Sequence, residues 1–222
     1  MDAATLQDRI NKGYGKAAAR LGILHSVARP LTAAAPLLNI QGTLLCSFNA
    51  EDWKYLKPNK YGRPTWYGLF DGSLTRAGDY LIGPAVTYFI AAQQPLLSIL
   101  CVDCNRQVAL LRPPPAAAST GAQGYGGTCA ADSTPALGTV DANGALVNGW
   151  PCSILLGGRQ EHGTNLPMAV NNAGFQILLP PSVPIVIRAS DIFLDDLGRR
   201  YIAEAAELSD LGWRINAREA HV

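Results

Sequence analysis

The residues that could do chemistry are few and scattered. Cys101-Val-Asp-Cys104 is the lone Cys-x-x-Cys of the chain. A structural zinc would need a second such pair, or histidines at matching spacing. Cys129 and Cys152 stand 23 residues apart, and His162 follows Cys152 by ten. On a strand, Cys101 and Cys104 point to opposite faces, so both read as packed thiols and no metal is expected. Glu161-His162, with an aspartate such as Asp141, could form the acid/base set of a small hydrolytic enzyme. Their Gly-rich, polar surroundings read better as a solvated loop. His25, His162 and His221 meet no Gly-x-Ser-x-Gly nucleophile context. Gly124-Tyr-Gly-Gly127 and Gly157-Gly158-Arg159 lack the Lys-Ser/Thr of a phosphate loop. No catalytic residue and no cofactor is expected.

A richer constellation is aromatic and basic. Trp53, Tyr55, Tyr61, Trp66 and Tyr67 alternate with Lys54, Lys57, Lys60 and Arg63. Such a mixture can stack on bases and hold phosphates, and it is also the composition of protein–protein hot spots. The chain as a whole is nearly neutral, with 18 basic and 17 acidic residues. A dedicated nucleic-acid binder would carry a basic excess, so a protein interface is the preferred reading, with non-specific contact to DNA as a secondary one.

Charged residues make up 16% of the chain, against 48% hydrophobic, with 22 glycines and 15 prolines. A soluble domain usually carries about a quarter charged residues. So sparse a charge on a turn-rich chain predicts surface covered by sister subunits. No apolar run reaches the length of a membrane span. Met1-Asp2-Ala3 does not begin a signal peptide, so synthesis and retention in a cytoplasm are expected. Five cysteines at irregular spacing then read as small buried hydrophobes.

The elements that would position these groups are mainly strands. Leu6, Ile10 and Tyr14 recur every four residues, and Ala17 and Leu21 extend the stripe, predicting a helix over residues 3–20 stopped by Gly22. So short a helix needs something to pack on: its own domain, or a neighbour reached as an arm. Arg29-Pro to Leu38 is an extended stretch with two prolines, excluded from a central strand. Residues 1–39 therefore read as a helix and extended arm, and 40–222 as a β domain. Strands are expected at Leu44–Phe48, Leu81–Ile82, Thr87–Ala91, Leu96–Val102, Val108–Leu111, Ser153–Leu156, Phe175–Leu179 and Val183–Ile187. The pair flanking Asn105-Arg106 is expected to be a hairpin. Residues 113–150, opening Pro-Pro-Pro, read as a long Pro/Gly-rich irregular insertion. The closing segment is the clearest: Ile192–Leu194, a turn at Asp195-Asp196-Leu197-Gly198, Tyr201–Ala203, then a third strand carrying Gly212-Trp213. The expected class is mainly β, an antiparallel barrel or sandwich with an N-terminal helix and arm. An echo links Gly78-Asp-Tyr-Leu and Thr87-Tyr-Phe-Ile-Ala to Ser190-Asp-Ile-Phe and Tyr201-Ile-Ala. Two hairpins of one type account for it without a duplication.

The closing pattern Asp191-Ile-x-x-Asp-Asp-x-Gly-x-x-Tyr201-Ile, followed by the Gly-Trp strand, resembles the end of tailed-bacteriophage head-to-tail joining proteins. Gly78-Asp-Tyr-Leu-x-Gly, Thr87-Tyr-Phe-Ile-Ala-Ala-Gln-Gln-Pro95, Cys104-Asn-Arg106 and Ala206-Glu-Leu-Ser-Asp-Leu-Gly-Trp213 are similar to virion proteins of contractile-tailed phages. The likeness covers roughly residues 41–217. The simpler joining proteins are about half as long, so the N-terminal arm and the insertion depart from them. The resemblance implies a structural protein, a head-completion, gateway or adaptor ring around the DNA channel. Such a ring would be a six- or twelve-fold homo-oligomer between the portal or adaptor ring and the tail proteins. It would form in the host cytoplasm and end in the virion, with no membrane, active site or cofactor. A tail-completion or baseplate protein is the alternative from the same class, and the hydrolase named above is the one from another. Expected interface residues are Leu6, Ile10 and Tyr14 of the helix, Arg29 of the arm, Trp53, Tyr55, Tyr61, Arg63, Trp66 and Tyr67 of the aromatic segment, and Trp213 of the closing strand.

Overall fold

The computed structural model describes residues 2–50, 63–112, 134–157 and 174–220. Helix α1 (Ala3–Leu21) ends at Gly22 and leads directly into β1 (Ile23–Ala28). There follow β2 (Ile40–Ala50), β3 (Thr65–Leu69), a 3-10 turn (Gly72–Leu74), β4 (Tyr80–Ile82), β5 (Thr87–Ala92) and β6 (Ile99–Cys104). These six strands close into an antiparallel barrel in the order β1-β2-β3-β6-β5-β4.

A second set begins after one residue, Asn105. It comprises β7 (Arg106–Arg112), β8 (Thr134–Leu137), β9 (Thr139–Val140), β10 (Leu146–Asn148), β11 (Trp150–Leu156), β12 (Gly174–Leu179), β13 (Ile192–Asp195), β14 (Arg200–Ser209) and β15 (Gly212–Ala220). Its sheet runs β11-β12-β15-β14-β13-β7-β8, and β11 also pairs with β7, so this sheet closes as well. β8 shares the β7 edge, alongside Leu110–Arg112, while β11 takes Arg106–Val108. Closure leaves few strand edges open to a second chain.

The first barrel is filled by Val27, Leu44, Cys46, Phe70, Leu81, Ile90, Ile99 and Cys101. The alternate residues Tyr80, Phe89, Ala91 and Val102 point outward yet are fully or nearly fully buried, because they join the core of the second barrel. Burial on both faces explains the unbroken apolar runs of β4, β5 and β6. The Tyr80 hydroxyl donates to the Pro151 carbonyl at 2.9 Å, and its ring meets Trp150 edge-on at 6.3 Å. Trp150 Nε1 donates to the Ala33 carbonyl at 2.8 Å, drawing the β1–β2 connection over the second barrel.

The mainly β class with an N-terminal helix is as expected, and several boundaries differ. The β structure starts at Ile23, not 40, since Ile23–Ala28 pairs with both β2 and β4. β6 and β7 form no hairpin: one residue cannot reverse the chain, and the Asn105 side chain instead brackets the backbone of Ile154. Val183–Ile187 is not a strand. Pro180, Pro181 and Pro184 remove the N–H groups a ladder needs, and Val183 and Ile187 are buried as irregular chain. Of the expected insertion, 113–133 lies outside the described residues. Within 134–150, β8 joins the sheet and β9–β10 form a small hairpin.

The echo proves far deeper than two similar hairpins. Exchanging β1, β2, β3, β4, β5 and β6 for β7, β11, β12, β13, β14 and β15 reproduces the strand order of the first barrel. Registers agree position by position: Val27↔Leu81 matches Leu110↔Phe193, and Trp66↔Cys101 matches Phe175↔Ala217. The bulge at Ile90/Ala92 recurs at Ala203/Ala205. Arg76-Ala-Gly-Asp79 and Arg188-Ala-Ser-Asp191 fold alike, and Gly78 and Ser190 both take positive φ, 91° and 72°. In each, an arginine at the end of the first strand, Arg29 just after β1 and Arg112 closing β7, clasps the aspartate with two hydrogen bonds. Arg29 reaches Asp79 at 2.9 and 2.7 Å, and Arg112 reaches Asp191 at 2.7 and 2.8 Å. The two barrels are repeats of one unit. The two-hairpin account fails because the likeness extends beyond the hairpins to β1, β2, β3 and β6 and their counterparts.

Candidate functional site

α1 lies across the first barrel, against β2, β3 and the 3-10 turn. Its inward stripe is polar and small. Gln7 Oε1 accepts the Leu96 N–H, Asn11 abuts Gly72, and a Cβ on Gly15 would sit 3.3 Å from that of Asp71. Ala18 alone on this helix is buried. With 3.6 residues per turn, Gln7, Asn11, Gly15 and Ala18 share one side, and Leu6, Ile10, Tyr14 and Leu21 fall beside it. Leu6 is 41% exposed and Leu21 72%, while Ile10 and Tyr14 are half-buried. The apolar stripe that predicted the helix is thus left partly uncovered by its own chain.

On the opposite flank a groove of about 610 Å³ runs between Lys12, Lys16 and Ala19 of α1 and Leu24, Thr43, Leu45 and Leu74 of the barrel. Leu24 and Leu45 are direct partners across β1–β2, on the outward face of the sheet. Leu24 is 57% and Leu74 59% exposed. Lys12 pairs with Asp8 at 2.6 Å, and that hydrogen bond and charge hold its ammonium above the ordinary lysine value. Sequence periodicity did not single out these leucines. The signal available was Leu44-Leu45, two adjacent apolar residues of which only one can face a barrel interior.

The other expected interface residues disperse. Arg29 is committed to Asp79 inside the chain. Trp213 is buried in the second barrel, at 8% exposure, and is a core residue rather than a contact surface. Trp66 and Tyr67 are half-buried on β3, on opposite faces, and Arg63 is exposed beside a hollow of about 350 Å³ shared with Gln176, Glu204 and Asn216. Trp53, Tyr55 and Tyr61 lie outside the described residues, as do Glu161 and His162. Asp141 shapes a turn, accepting the N–H groups of Asn143 and Ala145 at 2.9 and 2.8 Å.

The described thiols and His25 are largely packed inside the chain. Cys46, Cys101 and Cys152 are buried and free. Burial pushes Cys46 up to about 12 and Cys101, Cys104 and Cys152 well above their ordinary value, the opposite of a reactive thiolate. His25 is buried, its Nδ1 2.8 Å from the Ile23 carbonyl, its ring edge-on to Phe48. Among the described residues, no three His, Cys, Asp or Glu side chains gather as a metal site, and no helix is long and apolar enough to cross a membrane. No family model, curated protein or solved structure matches the chain.

Proposed function

We propose that the chain is a virion structural protein that forms a ring at the phage head–tail junction, around the DNA channel. The observation that carries this reading is the apolar surface at the N-terminal end. Leu6, Leu21, Ile23, Leu24, Leu31, Leu38, Ile40, Leu45 and Leu74 are all exposed, several beyond 55%. Leu24, Leu45 and Leu74 adjoin in one groove, and contiguous apolar surface of that kind marks a contact between molecules. The repeat supports it further: the resemblance implies one small barrel or sandwich in joining proteins of about half this length, and this chain holds two closed sheets. A ring of these chains contains twice as many barrels as chains, whether six- or twelve-fold. Its neighbours are the portal or adaptor ring above and tail proteins below, and assembly occurs in the host cytoplasm. Mass photometry and electron microscopy of the purified chain, alone and with the portal complex, test this. Closed rings are the expected result. A chain that stays monomeric in both conditions refutes it.

A further inference from the structure

The repeat indicates what the α1 groove is for. Leu45 and Ser47 on β2 correspond in register to Pro151 and Ser153 on β11. In the second barrel that outward face is buried, Ser153 at 1% exposure, because β5 and β6 of the first barrel lie on it. On the first barrel it is α1 that lies against this face, and a helix is narrower than a barrel. It covers one side of the face and leaves Leu24, Leu45 and Leu74 as an open apolar floor.

We propose that this groove seats an amphipathic helix of a neighbouring protein, apolar residues down and acidic residues on its flank. The floor, bounded by the outer sheet on one side and α1 on the other, suits the single apolar face of a helix about 10 Å across. The rim is net basic: Lys12, Lys16, Arg9 and Arg20 on α1 outnumber Asp8, which pairs with Lys12, and Asp71, which also lines the groove. α1 is the only α-helix among the described residues, and it is itself basic. A second copy's α1 would set lysine against lysine, so the occupant is an acidic helix from elsewhere. This deepens the ring reading by naming the chemistry of one neighbour, and rests on it only for where that neighbour sits.

The test uses the full chain and two synthetic amphipathic helical peptides about as long as α1. Both carry leucine on one face, one with glutamate flanks and its twin with lysine flanks. Fluorescence anisotropy should show saturable binding of the glutamate peptide, weakening with added salt, and no binding of the lysine peptide. Leu45→Asp, checked for an unchanged circular dichroism spectrum, should weaken binding about tenfold or more. Lys12→Glu with Lys16→Glu should reverse the preference to the lysine peptide. Binding of neither peptide, or of both equally, overturns the proposal. So does self-association of the free chain that Leu45→Asp abolishes, since the groove would then belong to a second copy. If rings form with the portal complex and the peptide does not bind, the groove assignment falls and the ring reading stands. If the peptide binds and no ring forms, the reverse holds.

Discussion

Arg112→Met should be among the most damaging single changes outside the apolar core. Arg112 gives Nε and Nη2 to the two oxygens of Asp191 at 2.7 and 2.8 Å, and Nη2 also donates to the Val186 carbonyl. The Asp191 side chain is 5% exposed, and its other partner is the Arg188 N–H at 2.7 Å. Removing the guanidinium leaves a buried carboxylate with one donor, a loss on the order of 3–5 kcal/mol. For a chain of this size that lowers Tm by roughly 6–20 °C. The repeat makes a second demand: Arg29→Met should also be costly, but less so, because Asp79, 1% exposed and likewise clasped, keeps the Arg76 guanidinium at 3.7 Å. Urea denaturation followed by near-UV circular dichroism measures both. Arg112→Met combined with Asp191→Leu should recover much of the loss, giving a coupling above about 2 kcal/mol in a double-mutant cycle. A single-mutant cost below about 1 kcal/mol, the worth of a surface ion pair, would refute the reasoning, as would purely additive losses.

Two further outcomes are expected. Burial raises the Asp103 carboxyl above its ordinary 3.8, so the folded chain keeps that proton to higher pH than the unfolded one. Its contribution is full below the unfolded value and is lost as pH rises through the folded one; Asp103→Asn should abolish that decline and raise the urea midpoint at neutral pH, by a modest amount because the group is half-exposed. Gly212 and Gly144 have nearly equal φ, 80° and 79°, but a Cβ on Gly212 would meet the Leu179 carbonyl oxygen while one on Gly144 meets nothing within 4 Å. Gly144→Ala should cost about 1–2 kcal/mol for its left-handed backbone, and Gly212→Ala distinctly more; equal thermal shifts for the two would contradict the packing described for the β14–β15 turn.

How much could be read from the sequence varied with the range of the forces involved. The β13–β14 hairpin was legible because its turn is local: Gly198 takes φ of 77°, and Asp195 Oδ1 accepts the N–H groups of Leu197 and Arg199 at 3.0 and 2.7 Å. α1 was legible as a helix, but its stripe misled as to orientation. Gly15 and Asn11 allow a close approach to Asp71 and Gly72 that Leu6 and Ile10 would prevent. The groove was hidden because Leu24 and Leu45 become neighbours only when β1 and β2 register.

The sequence by itself determined the β class, the β13–β14 turn and the helix, since backbone preferences and side-chain period act over a few residues. Tertiary structure alone decided that Tyr80, Phe89 and Trp150 share one core, that Trp213 faces inward, and that the faint likeness between Asp79 and Asp191 reflects two whole barrels. Those facts depend on pairing between segments tens of residues apart, where burial on both sheet faces, rather than local preference, selects the arrangement.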